Sequence, residues 1–236
     1  MLPLKDDVPS RSFPLITVLL IATNAAAFLY QMSLEAGTGG TGRAASAFVM
    51  EFGAVPCRIS GVCVVDEAPA PIVTIFTSMF LHGGLFHIAG NMLYLWIFGD
   101  NVEDALGHLR FLLLYVLAGV GAAAAQIAMS PHSQVPMVGA SGAISGVLGA
   151  YLFLFPHASV LTLVTFGFFI RFVQVPAVIV LGFWIVVQLL NGLTRYGAMA
   201  EKAADGGGVA WFAHIGGFVA GVILLFLLRP RGIRRI

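Results

Sequence analysis

Charged side chains are spaced far apart along this chain and leave long uncharged runs between them. No Asp, Glu, Lys or Arg occurs in the 23 residues between Arg11 and Glu35, the 32 between Glu67 and Asp100, or the 60 between Arg110 and Arg171. Two further runs of 23 lie between Arg171 and Arg195 and between Asp205 and Arg229. A helix that crosses a bilayer needs about 20 predominantly apolar residues. Four of the runs hold one such helix each. The longest holds two, separated at Ser130-Pro131-His132-Ser133-Gln134-Val135-Pro136, where two prolines flank a polar cluster. Pro156 marks a second break. The pattern predicts six spans, at 13–33, 83–99, 109–129, 139–155, 174–194 and 209–228. The fold class expected is all-α: a polytopic membrane protein, a bundle of six transmembrane helices. It forms one domain over 13–228, between a tail at 1–12 and a basic tail at 229–236. The connection at 34–82 is the one long external loop. Within it, Ile72 to Leu81 is apolar but too short to cross alone, so it lies at the interface or dips in where protein covers its backbone. Ala158 to Ile170 reads the same way.

Composition agrees with lipid as the solvent. Of 236 residues, 59% are apolar and 10% charged, against roughly 25% charged in an ordinary soluble domain. The 12 basic and 11 acidic residues nearly cancel, so nothing points to a nucleic-acid partner. Cys57 and Cys63 are the only cysteines, too few for a disulfide framework or a cysteine zinc site. The first span is longer than a signal-peptide core and is preceded by mixed charges, so it reads as retained. Six spans put both termini on one side, with Lys5, Arg11, Arg110, Arg171, Arg229, Arg231, Arg234 and Arg235. Arg43, Arg58, Arg195 and Lys202 fall on the other. That asymmetry places the termini in the cytoplasm and both cysteines outside, where a disulfide and two free thiols both stay open. A multi-pass protein of this kind belongs in the cytoplasmic membrane if its source is bacterial.

Polar groups inside a bilayer need partners and mark function. The fourth span opens Gly139-Ala140-Ser141-Gly142, the second contains His87 and Asn91, and the sixth contains His214. Taken alone, Ser141 is a small packing residue, since Gly142, Gly146 and Ala150 form a face that lets helices approach closely. Its place at the start of a helix adds a backbone N–H with no intrahelical partner. A hydroxyl beside a free N–H suits an acyl-transfer nucleophile with an oxyanion donor. Serine is a poor nucleophile without a base in hydrogen-bond reach, and His214 descends from the same outer face. No Asp or Glu lies within the six spans, so a Ser–His dyad is expected and not a triad. His87 and Asn91, four apart, share a helical face and both can donate hydrogen bonds. Their bland reading is interhelical glue, worth about 1 kcal/mol or less.

The ordered set resembles the rhomboid family of intramembrane serine proteases. It consists of His87-x-x-x-Asn91, Gly139-Ala140-Ser141-Gly142 and Ala213-His214-x-x-Gly217, with Glu103-Asp104-Ala105-Leu106-Gly107 and Arg110-Phe111 between the second and third spans. His82, five before His87, fits the same pattern. The resemblance implies Ser141 as nucleophile and His214 as general base and then acid. It implies an oxyanion site made of His87, Asn91 and the Ser141 N–H, with Glu103 as a structural hydrogen-bonding residue. It also implies single-span membrane proteins as substrates, cut in or near their transmembrane segment after a small residue, with no cofactor and no metal. Two features depart from the family pattern. Ser145 stands where some members carry an aromatic residue under the base, and the 34–82 loop has no Trp-Arg pair.

Three other readings compete. A non-catalytic, client-binding rhomboid-like protein usually lacks the serine or the histidine, and this chain keeps both. A transporter would show an inverted repeat or a mid-span carboxylate. A zinc protease would need a cluster such as His-Glu-x-x-His, which the six histidines do not form.

Overall fold

The computed structural model describes residues 2–37, 42–64, 69–166, 169–199 and 210–230. Arg231, Arg234 and Arg235 of the basic tail, and Lys202, lie outside the described residues. Six longer helices follow the uncharged runs: α1 (Leu15–Gly37), α5 (Leu85–Leu106), α6 (His108–Met129), α7 (Ser141–Leu154), α8 (Ala177–Met199) and α9 (Trp211–Leu228). Three short helices, α2 (Arg43–Phe52), α3 (Pro56–Ile59) and α4 (Pro71–Thr77), fill the long loop, and a 3-10 turn (Ser78–Phe80) follows α4.

Among the described residues, α1, α6, α8 and α9 contain segments long and apolar enough to cross a membrane. A fifth crossing results if α4 with its 3-10 turn is joined to α5, from which it bends by 82°. Ile72 to Leu81, read from the sequence as too short to cross alone, makes up most of the bent arm. The six-span count is not reached by length and composition. At 14 residues, α7 extends only about 21 Å, shorter than the ~30 Å hydrocarbon core. It is the central helix, buried from Gly142 to Tyr151, and packs chiefly against α6 and α9. Small residues make that packing close. A Cβ at Gly146 would lie 3.0 Å from the Gly217 carbonyl oxygen, and one at Gly221 would overlap the Gly146 backbone. The small-residue face read from the sequence is therefore shared between α9 and α6, whose Ala118 and Ala122 stand closest to Gly146 and Gly142.

The bundle also carries a sheet that the all-α expectation does not contain. β1 (Leu2–Asp6), β2 (Ser159–Phe166) and β3 (Phe169–Pro176) form an antiparallel sheet in the order β1-β2-β3. The stretch expected to lie at the interface or to dip in is thus largely β2. Its Val160, Thr162, Val164 and Thr165 are β-branched and follow the helix-ending Pro156, which favours a strand. Residues 2–6 of the expected tail pair with it.

Polar contacts tie this end together. The buried Glu103 carboxylate of α5 accepts from the backbone N–H groups of Ile16 and Thr17, both at 2.8 Å, and from the Thr17 hydroxyl at 2.7 Å. It therefore caps the start of α1, whose first N–H groups have no helical partner, and it also meets His108. Ser10 and Ser12 donate to Asp100 and Asp104.

Candidate active site

The opposite end is organised around the segment leading into α7. Cys57 and Cys63 form a disulfide, which answers the pairing that the sequence leaves open. The turn they close is bonded to the 130–138 loop: the Cys57 N–H donates to the Ser133 carbonyl at 2.9 Å and the Ser60 hydroxyl to the Pro131 carbonyl at 2.7 Å. Ala54 and Met137 exchange two backbone bonds, and the Gly139 N–H donates to the Ser78 carbonyl at 2.9 Å. The long loop thus fixes the path of the chain up to Ser141. Gly139 adopts φ +120°, a backbone conformation open to glycine. A Cβ there would lie 2.8 Å from His87 Nε2, so a side chain at this position would push the His87 ring away from the α7 start, while Asn91 Nδ2, at 3.5 Å, would only be touched.

Ser141 is the first residue of α7 and His214 the fourth of α9. The close seam between these helices brings Ser141 Oγ within 2.8 Å of His214 Nε2. On the far side of the ring, His214 Nδ1 lies 2.7 Å from Oε1 of Gln188, a buried side chain on α8. Trp184, one turn earlier on α8, stands with its ring centroid 5.8 Å from the imidazole at an interplanar angle of 41°. Trp211 meets the imidazole edge-on at 6.4 Å. The aromatic neighbour missing at position 145 is therefore supplied by other helices. Ser145 donates instead to the Ser141 carbonyl at 2.6 Å.

His87 and Asn91 stand in the first two turns of α5. The Gly83 N–H donates to His87 Nδ1 at 3.3 Å. With Nδ1 accepting, the neutral ring carries its proton on Nε2, the nitrogen facing Gly139. Asn91 Nδ2 lies 3.0 Å from His82 Nε2, and the His82 backbone is clamped by Gln31 of α1 through bonds of 3.0 and 3.2 Å. One proton of the Asn91 amide is thus held by His82, and the other is free to donate.

All four residues singled out in the sequence line one cavity of about 780 Å³, with Gln126 and Trp184 also in its wall. A smaller hollow of about 40 Å³ lies beside Ser141, bordered by Met79, Gly119, Ala122 and Ala143. Sequence reading missed Gln188, Trp184 and Trp211. Gln188 carries the same signal as the others, a polar group inside an apolar span, but its partner lies 26 residues further along the chain.

Comparison with known proteins places the chain in a family. The sequence profile described as Rhomboid domain matches residues 69–231. RHOMBOID-like protein 1 of Arabidopsis thaliana is 34% identical over 160 residues, 66% of this chain and 35% of that protein. Rhomboid protease GluP of Bacillus subtilis is 45% identical over 80 residues, 34% of this chain and 15% of that protein. Rhomboid protein 1, mitochondrial, of Saccharomyces cerevisiae is 30% identical over 155 residues, 64% of this chain and 40% of that protein. The matches thus span well under half the length of these relatives. The long apolar helices and the profile match over most of the chain establish it as a multi-pass integral membrane protein of the rhomboid family.

Proposed function

We propose that this chain is an intramembrane serine endopeptidase that hydrolyses peptide bonds in or near the transmembrane segments of membrane-anchored proteins. One observation carries the reading: the 2.8 Å approach of Ser141 Oγ to His214 Nε2 inside a cavity large enough for an unwound peptide. His214 takes the Ser141 proton as Oγ attacks the scissile carbonyl carbon. The tetrahedral intermediate then collapses as His214 passes that proton to the leaving amine. A water, deprotonated in turn by His214, attacks the acyl-enzyme carbonyl, and as the bond to Oγ breaks His214 returns the proton to Ser141, freeing the new carboxyl terminus. Negative charge on the substrate oxygen is received by His87 Nε2–H, Asn91 Nδ2–H and the Ser141 N–H. The small hollow beside Ser141, about 40 Å³, supports a preference for a small residue before the cut bond.

The Cys57–Cys63 disulfide supports the orientation in which this end faces an oxidising compartment and the termini lie in the cytoplasm. The paired serine and histidine favour hydrolysis over client binding alone, because a binding role needs no hydroxyl–imidazole contact. The test uses the purified full chain in proteoliposomes with a single-span reporter. Ser141→Ala and His214→Ala are each expected to abolish cleavage and fluorophosphonate labelling while the protein stays folded, and chelators to have no effect. Normal cleavage by Ser141→Ala overturns the reading.

A further inference from the structure

The residue on the far side of His214 deepens this reading and rests on it. A neutral imidazole carries one proton. It serves as the base for Ser141 only if that proton sits on Nδ1, leaving the Nε2 lone pair toward the hydroxyl. In the alternative tautomer Nε2–H points at Oγ and cannot accept. Within a water-poor bundle, the tautomer is set by whatever faces Nδ1. Here that group is the Gln188 amide oxygen, an acceptor with no proton to give, 2.7 Å away. Gln188 is only 6% exposed, on a helix whose Phe183, Val186, Leu189 and Leu190 are largely exposed on the outer side of the bundle. A buried amide on a lipid-facing helix is costly unless bonded.

We infer that Gln188 is a positioning residue: its Oε1 holds His214 by Nδ1–H, fixing the ring tautomer with Nε2 free to take the Ser141 proton. The same bond stabilises the imidazolium formed during attack, since the carbonyl end of the amide dipole faces the new positive charge. Trp184, four residues earlier on the same face of α8, limits rotation of the ring. The neutral amide takes the place that a carboxylate occupies in a triad. Among the described residues, the other groups around the imidazole do not compete for Nδ1. α7 presents Ser141 to Nε2, α6 presents the uncharged Gln126, which binds the Ala213 N–H, and α5 presents His87 across the cavity. Among the described residues lining the cavity, His87 and Tyr94 are the other titratable side chains.

Three variants of the full chain, assayed in proteoliposomes, test the inference. Gln188→Leu keeps the volume and removes the acceptor. It is expected to lower kcat by roughly 10–100-fold with KM unchanged, to slow fluorophosphonate labelling of Ser141 in parallel, and to leave the unfolding midpoint where it is. Gln188→Glu restores an acceptor and adds a charge. It is expected to recover turnover and to move the acid limb of the kcat/KM profile upward by roughly 1–3 pH units, because a carboxylate favours imidazolium. Ser141→Ala is the reference for the reading itself. If Ser141→Ala is inactive while Gln188→Leu turns over normally, or Gln188→Glu leaves the acid limb in place, the Gln188 role is overturned and the dyad stands. If Ser141→Ala is active, the dyad falls and Gln188 with it.

Discussion

At Gly139 a single hydrogen in place of a Cβ leaves room for the His87 ring beside the start of α7, where Asn91 also stands. That closeness gives the two donors a stated task in the proposed reaction, and a measurable one. His87→Ala and Asn91→Ala are each expected to lower kcat by on the order of 10–1,000-fold, with little change in KM. Steady-state kinetics on a single-span reporter separate the two parameters. A rise in KM alone would make these residues substrate contacts and not oxyanion donors. The four polar residues that share the cavity stood out in the sequence because a polar group in an apolar span is conspicuous. Gln188 was equally visible as a residue, but nothing in the local sequence says that it faces an imidazole on the next helix.

Helices and strands are where the sequence pattern worked best and where it failed. The uncharged runs located all six longer helices within a few residues at most ends, because burial in lipid forces continuous apolar stretches. The same criterion could not tell an interfacial segment from strand β2, which is also apolar and short. The sheet brings its own pH dependence. Burial pushes the Asp6 carboxyl up to about 6, against an ordinary value of 3.8, helped by Asp100 and Asp7 and opposed by the Tyr151 hydroxyl that donates to it. A carboxyl raised by folding contributes stability that is complete below its unfolded value and is lost as pH rises through about 6. Asp6→Asn is therefore expected to flatten the fall in unfolding midpoint between acid and neutral pH, read by thermal unfolding in detergent. An unchanged fall would show that Asp6 does not titrate against the fold. The α7–α9 seam makes a second prediction. Gly221→Val places side-chain atoms against the Gly146 backbone and is expected to cost about 1–3 kcal/mol. Because it wedges apart the helices bearing Ser141 and His214, proteolysis should fall further than stability alone explains. Full activity in a folded variant would show that the seam tolerates separation.

For the whole molecule, the two ends differ in chemistry. One carries the sheet, the Glu103 cap and the acidic contacts to Ser10 and Ser12. The other carries the disulfide, the wrapped loop and the cavity. If the positive-inside assignment holds, alkaline phosphatase fused within residues 42–64 will be active, and a fluorescent protein fused after residue 230 will fluoresce in the cytoplasm. The reverse pattern would invert the orientation and put the disulfide in a reducing compartment.

The amino-acid sequence by itself determined that lipid is the solvent, where the helices run and which side chains are too polar to be left unpartnered. These follow from local free energies of transfer, which each segment carries wherever it ends up. Only the tertiary structure decided that residues 141, 188 and 214 share one hydrogen-bonded line, that Cys57 bonds Cys63, and that α7 is a short, enclosed helix. Those depend on how closely glycine-lined helices approach and on which faces they turn to each other. Such distances are set by packing between segments remote in the chain and not by the composition of any one of them.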